Sequence, residues 1–134
     1  MGGELEGDVH AVRAARSTHP PRALDGPDAV MIVEMRTYRT KPGMREAFLQ
    51  IFRSKSVPAH VDIGMKILGP FLSIDDPDTF FFMRGFPDLA SRAPMRARFY
   101  EGELWTKELE HLLMPMLEKY DVVLVDDTDG LIHW

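Results

Sequence analysis

"TFFFMRGF", residues Thr79 to Phe86, sets one arginine among four phenylalanines. The run is too short and too evenly apolar for an amphipathic helix, and strand geometry sorts it into two faces. Side chains alternate along a strand, so Phe80, Phe82, Arg84 and Phe86 share one face while Phe81, Met83 and Gly85 share the other. A strand apolar on both faces has to be covered on both, and a guanidinium within it needs a partner.

The flanking sequence supplies the cover. "VMIVEMRTY" (30–38) also alternates with period two, placing Met31, Val33, Met35 and Thr37 opposite Ile32, Glu34, Arg36 and Tyr38. "KPGMREAFLQIFRSKSVPAH" (41–60) opens with Pro42 at a favoured helix start, and Met44, Ala47, Phe48, Ile51 and Phe52 recur at helical spacing until Pro58 kinks or ends the helix. "MKILGPFLSI" (65–74) predicts a second strand with a bulge or edge at Gly69 and Pro70. "DDPD" (75–78) turns the chain, which makes the phenylalanine strand the far arm of a hairpin. "FPDLASR" (86–92) begins a second helical region capped by Asp88. Pro94 and Gly102 divide that region into a short piece and a longer helix from about Glu103, striped by Trp105, Leu109, Leu112, Leu113, Met116 and Leu117 and bent at Pro115. "YDVVLVDD" (120–127) is the last strand. The order βαββαβ predicts an α+β, ferredoxin-like domain with a four-stranded antiparallel sheet over residues 30–134.

Residues 1–29 hold no aromatic side chain but carry Gly2, Gly3, Gly7, Gly26, Pro20, Pro21 and Pro27. They read as a flexible extension, with room for one helical turn at Ala11–Arg16, and Met31 offers an alternative start. The whole chain of 134 residues suits one core. A net charge of -5 without a basic cluster argues against nucleic acid or an anionic membrane as partner. No run is apolar enough to span a membrane or to form a secretory signal, and the absence of cysteine excludes disulfides and thiolate chemistry; a cytoplasmic location is the expectation.

Two helices cover only one face of such a sheet. With the more polar set pointing away from them, Glu34, Arg36, Tyr38, Phe80, Phe82, Arg84 and Phe86 would form an open face, hidden by a second copy in a two-fold homodimer. The first and third strands are central neighbours in this plan, so Glu34 is the expected ion-pair partner of Arg84. Two outcomes stay open: a satisfied seam between subunits, or a cavity in which arginines, a carboxylate and a phenol grip an oxygen-rich apolar molecule.

"MIVEMRTYRTKPG", "FFFMRGFPDLASR" and "RFYEGELW" resemble the NIPSNAP family of the dimeric α/β-barrel superfamily, a likeness covering about residues 31–127. The resemblance implies the ferredoxin-like fold and the dimeric barrel, but no single chemistry. Relatives in that superfamily include cofactor-free monooxygenases of aromatic polyketides, isomerases, cyclases, haem-degrading oxygenases and haem peroxidases. Haem degraders use a pocket asparagine, and this chain has none. The expectation is therefore a cofactor-independent oxygenation, isomerisation or cyclisation of an apolar oxygenated metabolite such as an aromatic polyketide. Arg84 and Arg36 would polarise an oxygen, Glu34 or His60 would move a proton, and Tyr38 with Tyr100 would orient the substrate. Phe71, Phe82 and Trp105 complete the expected substrate-binding set. The alternative is a non-catalytic ligand-binding or interaction dimer. His60 could equally cap the end of its helix, His111 reads as a surface residue, and His60 with Asp62 lacks a third metal ligand, so neither metal nor cofactor is expected.

Overall fold

The computed structural model describes residues 10–12, 29–30 and 32–134. Its sheet has five strands: β1 (His10–Val12), β2 (Ile32–Thr40), β3 (Lys66–Leu72), β4 (Thr79–Phe86) and β5 (Leu117–Asp126), in the order β1-β5-β2-β4-β3. The last four are antiparallel and give the ferredoxin-like arrangement. β1 adds a parallel edge beside β5. Of the segment expected as an extension, His10–Val12 is thus strand rather than the start of a helical turn; the rest of 1–28 lies outside the described residues.

Between β2 and β3 the chain runs through α1 (Arg45–Ile51), a π-helical turn (Phe52–Ser56) and α2 (Val57–Ile63). Pro42 precedes this helix in a turn rather than starting it. Pro58, at the second position of α2, follows directly on the π turn; it lacks an N–H, but it does not end the helical run, which continues to Ile63. Gly64 ends α2 in the left-handed conformation with φ 112°, its N–H bonding to the His60 and Val61 carbonyls. β3 shifts register against β4 between Leu68 and Phe71, where Gly69 and Pro70 predict a bulge.

After β4, Asp88 caps α3 (Leu89–Tyr100) by accepting the Ser91 N–H at 2.8 Å. Here the expectation fails: Pro94 lies inside α3 without breaking it. Its missing N–H costs one internal bond near the start of a twelve-residue helix, while Met95, Arg96, Phe99 and Tyr100 gain burial. The region beyond consists of a π-helical segment (Trp105–Leu109), α4 (Glu110–Leu113) and a short 3-10 turn (Met114–Met116), and Leu117 already opens β5.

The sheet faces are also reversed relative to expectation. Glu34, Arg36, Tyr38, Phe80, Phe82, Arg84 and Phe86 are all buried under the helices of their own protomer. Phe48 and Phe52 of the first helical run meet Tyr38, Phe80 and Phe82, with ring centroids 4.8–6.1 Å apart. The phenylalanines are the larger apolar load, and the helices bring polar partners of their own, so the charged residues go inward with them. The outer face carries Met35, Thr37, Phe81, Met83 and Val123; Thr37 and Val123 are exposed and the others half-buried. At one end it is covered from within the chain. Buried Asp127 accepts the Leu131 and Ile132 N–H groups and turns the tail back, so that Trp134 and Val30 lie over Gly85.

Candidate functional site

Glu34 and Arg84 sit directly opposite each other in the β2–β4 register, and their side chains meet as expected, Arg84 Nε donating to Glu34 Oε1 at 2.7 Å. Arg36 Nη1 donates to the same oxygen at 2.6 Å. Glu34 Oε2 accepts from Arg92 Nε at 2.7 Å and from Arg96 Nη1 at 3.1 Å, both on α3. One carboxylate with no solvent exposure therefore holds four guanidiniums. Burial pushes the Glu34 carboxyl up, but Arg84, Arg36 and Arg92 outweigh it and hold its pKa at about 2.

The rest of the centre follows from donor geometry. His60 Nδ1 lies 2.7 Å from the Ser56 carbonyl, and Nε2 lies 2.9 Å from Arg84 Nη1. Both carbonyl and guanidinium have a fixed role, one accepting and the other donating. Nδ1 therefore carries the proton and Nε2 accepts, which makes His60 neutral. Burial and the Arg84 guanidinium hold its pKa at about 3. Arg84 Nη1 also donates to Tyr100 Oη at 3.0 Å, while Arg36 Nε and Nη2 both donate to Tyr38 Oη, at 3.2 and 2.9 Å. Burial pushes the Tyr38 phenol up. At Tyr100 burial acts the same way, but Arg84, Arg36 and Arg96 outweigh it and hold that phenol below its ordinary value.

A cavity of about 20 Å³ opens against this network. Tyr38, His60, Arg84, Tyr100 and Trp105 supply its chemistry, and Phe48, Phe52, Phe82 and Phe99 are among its apolar walls. Both π-helical segments reach it, through Ser56 and Trp105. Of its lining residues, Arg84 and Trp105 each keep a buried donor, Nη2 and Nε1, without a hydrogen-bond partner. A wider hollow of about 320 Å³ lies between Trp134, Val61, Met65 and Ile67, but Lys66 is its sole titratable side chain, and no polar groups converge there.

A family model described as NIPSNAP matches residues 33–122, most of the chain. The chain belongs to the NIPSNAP family. Among solved NIPSNAP structures, an uncharacterized domain protein from Burkholderia xenovorans is 25% identical, with a TM-score of 0.63 over 70% of this chain and 91% of that one. A family protein of unknown function from Agrobacterium tumefaciens is also 25% identical, with a TM-score of 0.64 over 72% and 87%. A Nitrosomonas europaea protein provisionally described as an antibiotic biosynthesis monooxygenase shares the fold at 18% identity and a TM-score of 0.57, over 70% and 86% of the two chains. No curated protein matches.

In this NIPSNAP chain Tyr38, His60, Phe82, Arg84, Tyr100 and Trp105 line the cavity inside one chain, while Glu34 and Arg36 do not line it but bond to Arg84 and Tyr38 respectively. Phe71 does not join them: it is 49% exposed on the outer face, beside Phe81. His111 is exposed. Asp62 is exposed too, and both His60 nitrogens are engaged; among the described residues no three His, Cys, Asp or Glu side chains are grouped to hold a metal, and no helix is long and apolar enough to cross a membrane. Arg92 and Arg96 were missed as site residues. Their signal was present: with Tyr100 they recur every four residues, one face of a continuous helix.

Proposed function

We propose that this domain binds an apolar molecule through an oxygen acceptor seated between Arg84 Nη2 and Trp105 Nε1. The observation that carries this is that two residues lining the cavity, Arg84 and Trp105, each keep an unpartnered buried donor, since such groups are costly unless a ligand or water satisfies them. Two N–H donors aimed at one oxygen also stabilise an enolate, so the chemistry the site supports best is a cofactor-independent isomerisation, cyclisation or oxygenation of an enolisable aromatic metabolite. Glu34 and His60 are poor bases here: one is tied to four guanidiniums, and the other has its lone pair facing Arg84. Tyr100 is the better proton carrier, because its phenol is held below the ordinary range. The outer face, with half-buried Met35, Phe81 and Met83 and exposed Phe71 and Val123, is where a second copy would pack.

A non-catalytic role within the same dimeric fold is favoured by one observation: the cavity, at about 20 Å³, has room for roughly one water until its aromatic walls move. Calorimetric titration with benzoylacetone, an enolisable aromatic diketone, and with butylbenzene, its oxygen-free counterpart, separates the possibilities. The diketone binds the wild type and is lost from both Arg84→Met and Trp105→Phe, and its slow consumption by the wild type marks an enzyme. Binding without consumption marks the non-catalytic role. Equal binding of the hydrocarbon, or binding unchanged in Trp105→Phe, refutes the oxygen seat.

A further inference from the structure

We infer that in the unliganded protein Tyr100 is the phenolate that balances the buried guanidiniums, and that the cavity's ligand is an anion whose entry returns the proton to Tyr100. This rests on the cavity being the ligand site. Its first support is a charge count. Leaving Arg96 aside, Arg36, Arg84 and Arg92 are three guanidiniums on a single carboxylate, with side-chain exposures of 0%, 1% and 14%. His60 adds no negative charge, since its hydrogen bonds fix it as neutral. At Arg36 and Arg84 the positive charge is cut off from water and, among the described residues, exceeds the one carboxylate they share, so it needs a further anion close by.

The groups facing Tyr100 narrow the source. β2 presents Glu34, Arg36 and Tyr38; β4 presents Arg84; α2 presents His60; and α3 itself contributes Arg96. The titratable groups on the cavity that can become anions are the two phenols, Tyr38 and Tyr100. Two phenols on one small cavity cannot both ionise easily, and geometry chooses Tyr100. Arg84 Nη1 donates to its oxygen at 3.0 Å, Arg96 Cζ lies 4.9 Å from its ring centre, and Arg84 Cζ lies 5.5 Å from it. Tyr38 Oη accepts both of its N–H hydrogen bonds from a single guanidinium, Arg36. The opposite pKa directions of the two phenols agree with this division.

The open positions, Arg84 Nη2 and Trp105 Nε1, are buried donors that each lack an acceptor. A carboxylate or enolate would satisfy both and take over the balancing charge. Tyr100 then binds one proton for each anion that enters, and no other bond is made or broken.

The test uses the full chain and needs no natural ligand. The near-ultraviolet tyrosinate band is followed against pH in the wild type, Tyr100→Phe and Tyr120→Phe. One of the three tyrosines should ionise below the ordinary phenol value of 10.0, in the wild type and Tyr120→Phe but not in Tyr100→Phe. Isobutyrate, which is transparent in that region, should quench the band and take up one proton per molecule bound, read by calorimetry in two buffers of different ionisation heat. Neutral isobutyramide should do neither. A folded wild type with no tyrosine ionised at neutral pH overturns the inference even where the Phe variant fails to fold, and so does a band that persists in Tyr100→Phe. Isobutyramide binding as well as isobutyrate overturns the anionic half while the oxygen seat stands. Failure of isobutyrate, isobutyramide and benzoylacetone alike removes the ligand site itself.

Discussion

Replacing Glu34 by glutamine keeps the side chain's shape and removes its charge. Both carboxylate oxygens are fully used: Oε1 accepts from Arg36 and Arg84, and Oε2 from Arg92 and Arg96. Whichever way the amide turns, its NH₂ faces two guanidinium donors. The folded pKa of about 2 against an ordinary 4.5 corresponds to about 3 kcal/mol of stabilisation at neutral pH. Breaking a buried ion pair typically costs about 3–5 kcal/mol, so Glu34→Gln should lose about that much from a domain whose total stability is of order 5–15 kcal/mol. The sign is fixed by the depressed pKa. The unfolded chain takes up the Glu34 proton first as pH falls, so the contribution is complete above 4.5 and disappears on the way down to about 2. Urea unfolding of wild type and variant, followed by far-ultraviolet circular dichroism across that window, gives both numbers. A variant within about 1 kcal/mol of wild type at neutral pH, or a difference that does not shrink in acid, would refute the view that this carboxylate holds the guanidiniums together.

His60→Leu removes one of the two acceptors of Arg84 Nη1 and should cost about 1–3 kcal/mol at neutral pH. Because the folded His60 pKa is depressed from 6.5 to about 3, the wild type also loses stability as pH falls below 6.5, and the same urea titrations should show that early decline absent from the variant. Gly85→Ala would place a Cβ 2.6 Å from Val30 Cγ1 and 2.8 Å from Trp134 Cζ2. It should destabilise the fold by about 1–3 kcal/mol and shift the Trp134 fluorescence, measured by thermal melts and emission spectra. Met83→Arg puts a charge on the outer face, the proposed dimer seam, without touching the Glu34 cluster; light scattering should report a dimer for the wild type and a monomer for the variant, with the benzoylacetone site retained.

The strands and the Glu34–Arg84 pair were legible because a period of two fixes faces, and the ferredoxin-like order makes the first and third strands neighbours. The direction of the faces was not. The assumption that polar residues point away from helices holds when charges would otherwise be stranded, and here Arg92, Arg96, His60 and Tyr100 arrive from the helices to meet them. Two of those were hidden by a single residue. Taking Pro94 as a helix break separates Arg92 from Arg96, although in α3 they stand one turn apart on the same face. The neutral state of His60 could not be read at all, since it depends on where the π turn leaves the Ser56 carbonyl.

The tail that Asp127 folds back has a spectroscopic consequence. Trp105 is buried at the cavity, while Trp134 lies across the sheet from it, 37% exposed over Gly85. The chain has only these two tryptophans. Each side of the sheet thus carries its own natural fluorophore. Single-tryptophan proteins made by Trp105→Phe and Trp134→Phe would report the outer face and the cavity separately, so changes on the two sides of the sheet can be timed independently without any added dye.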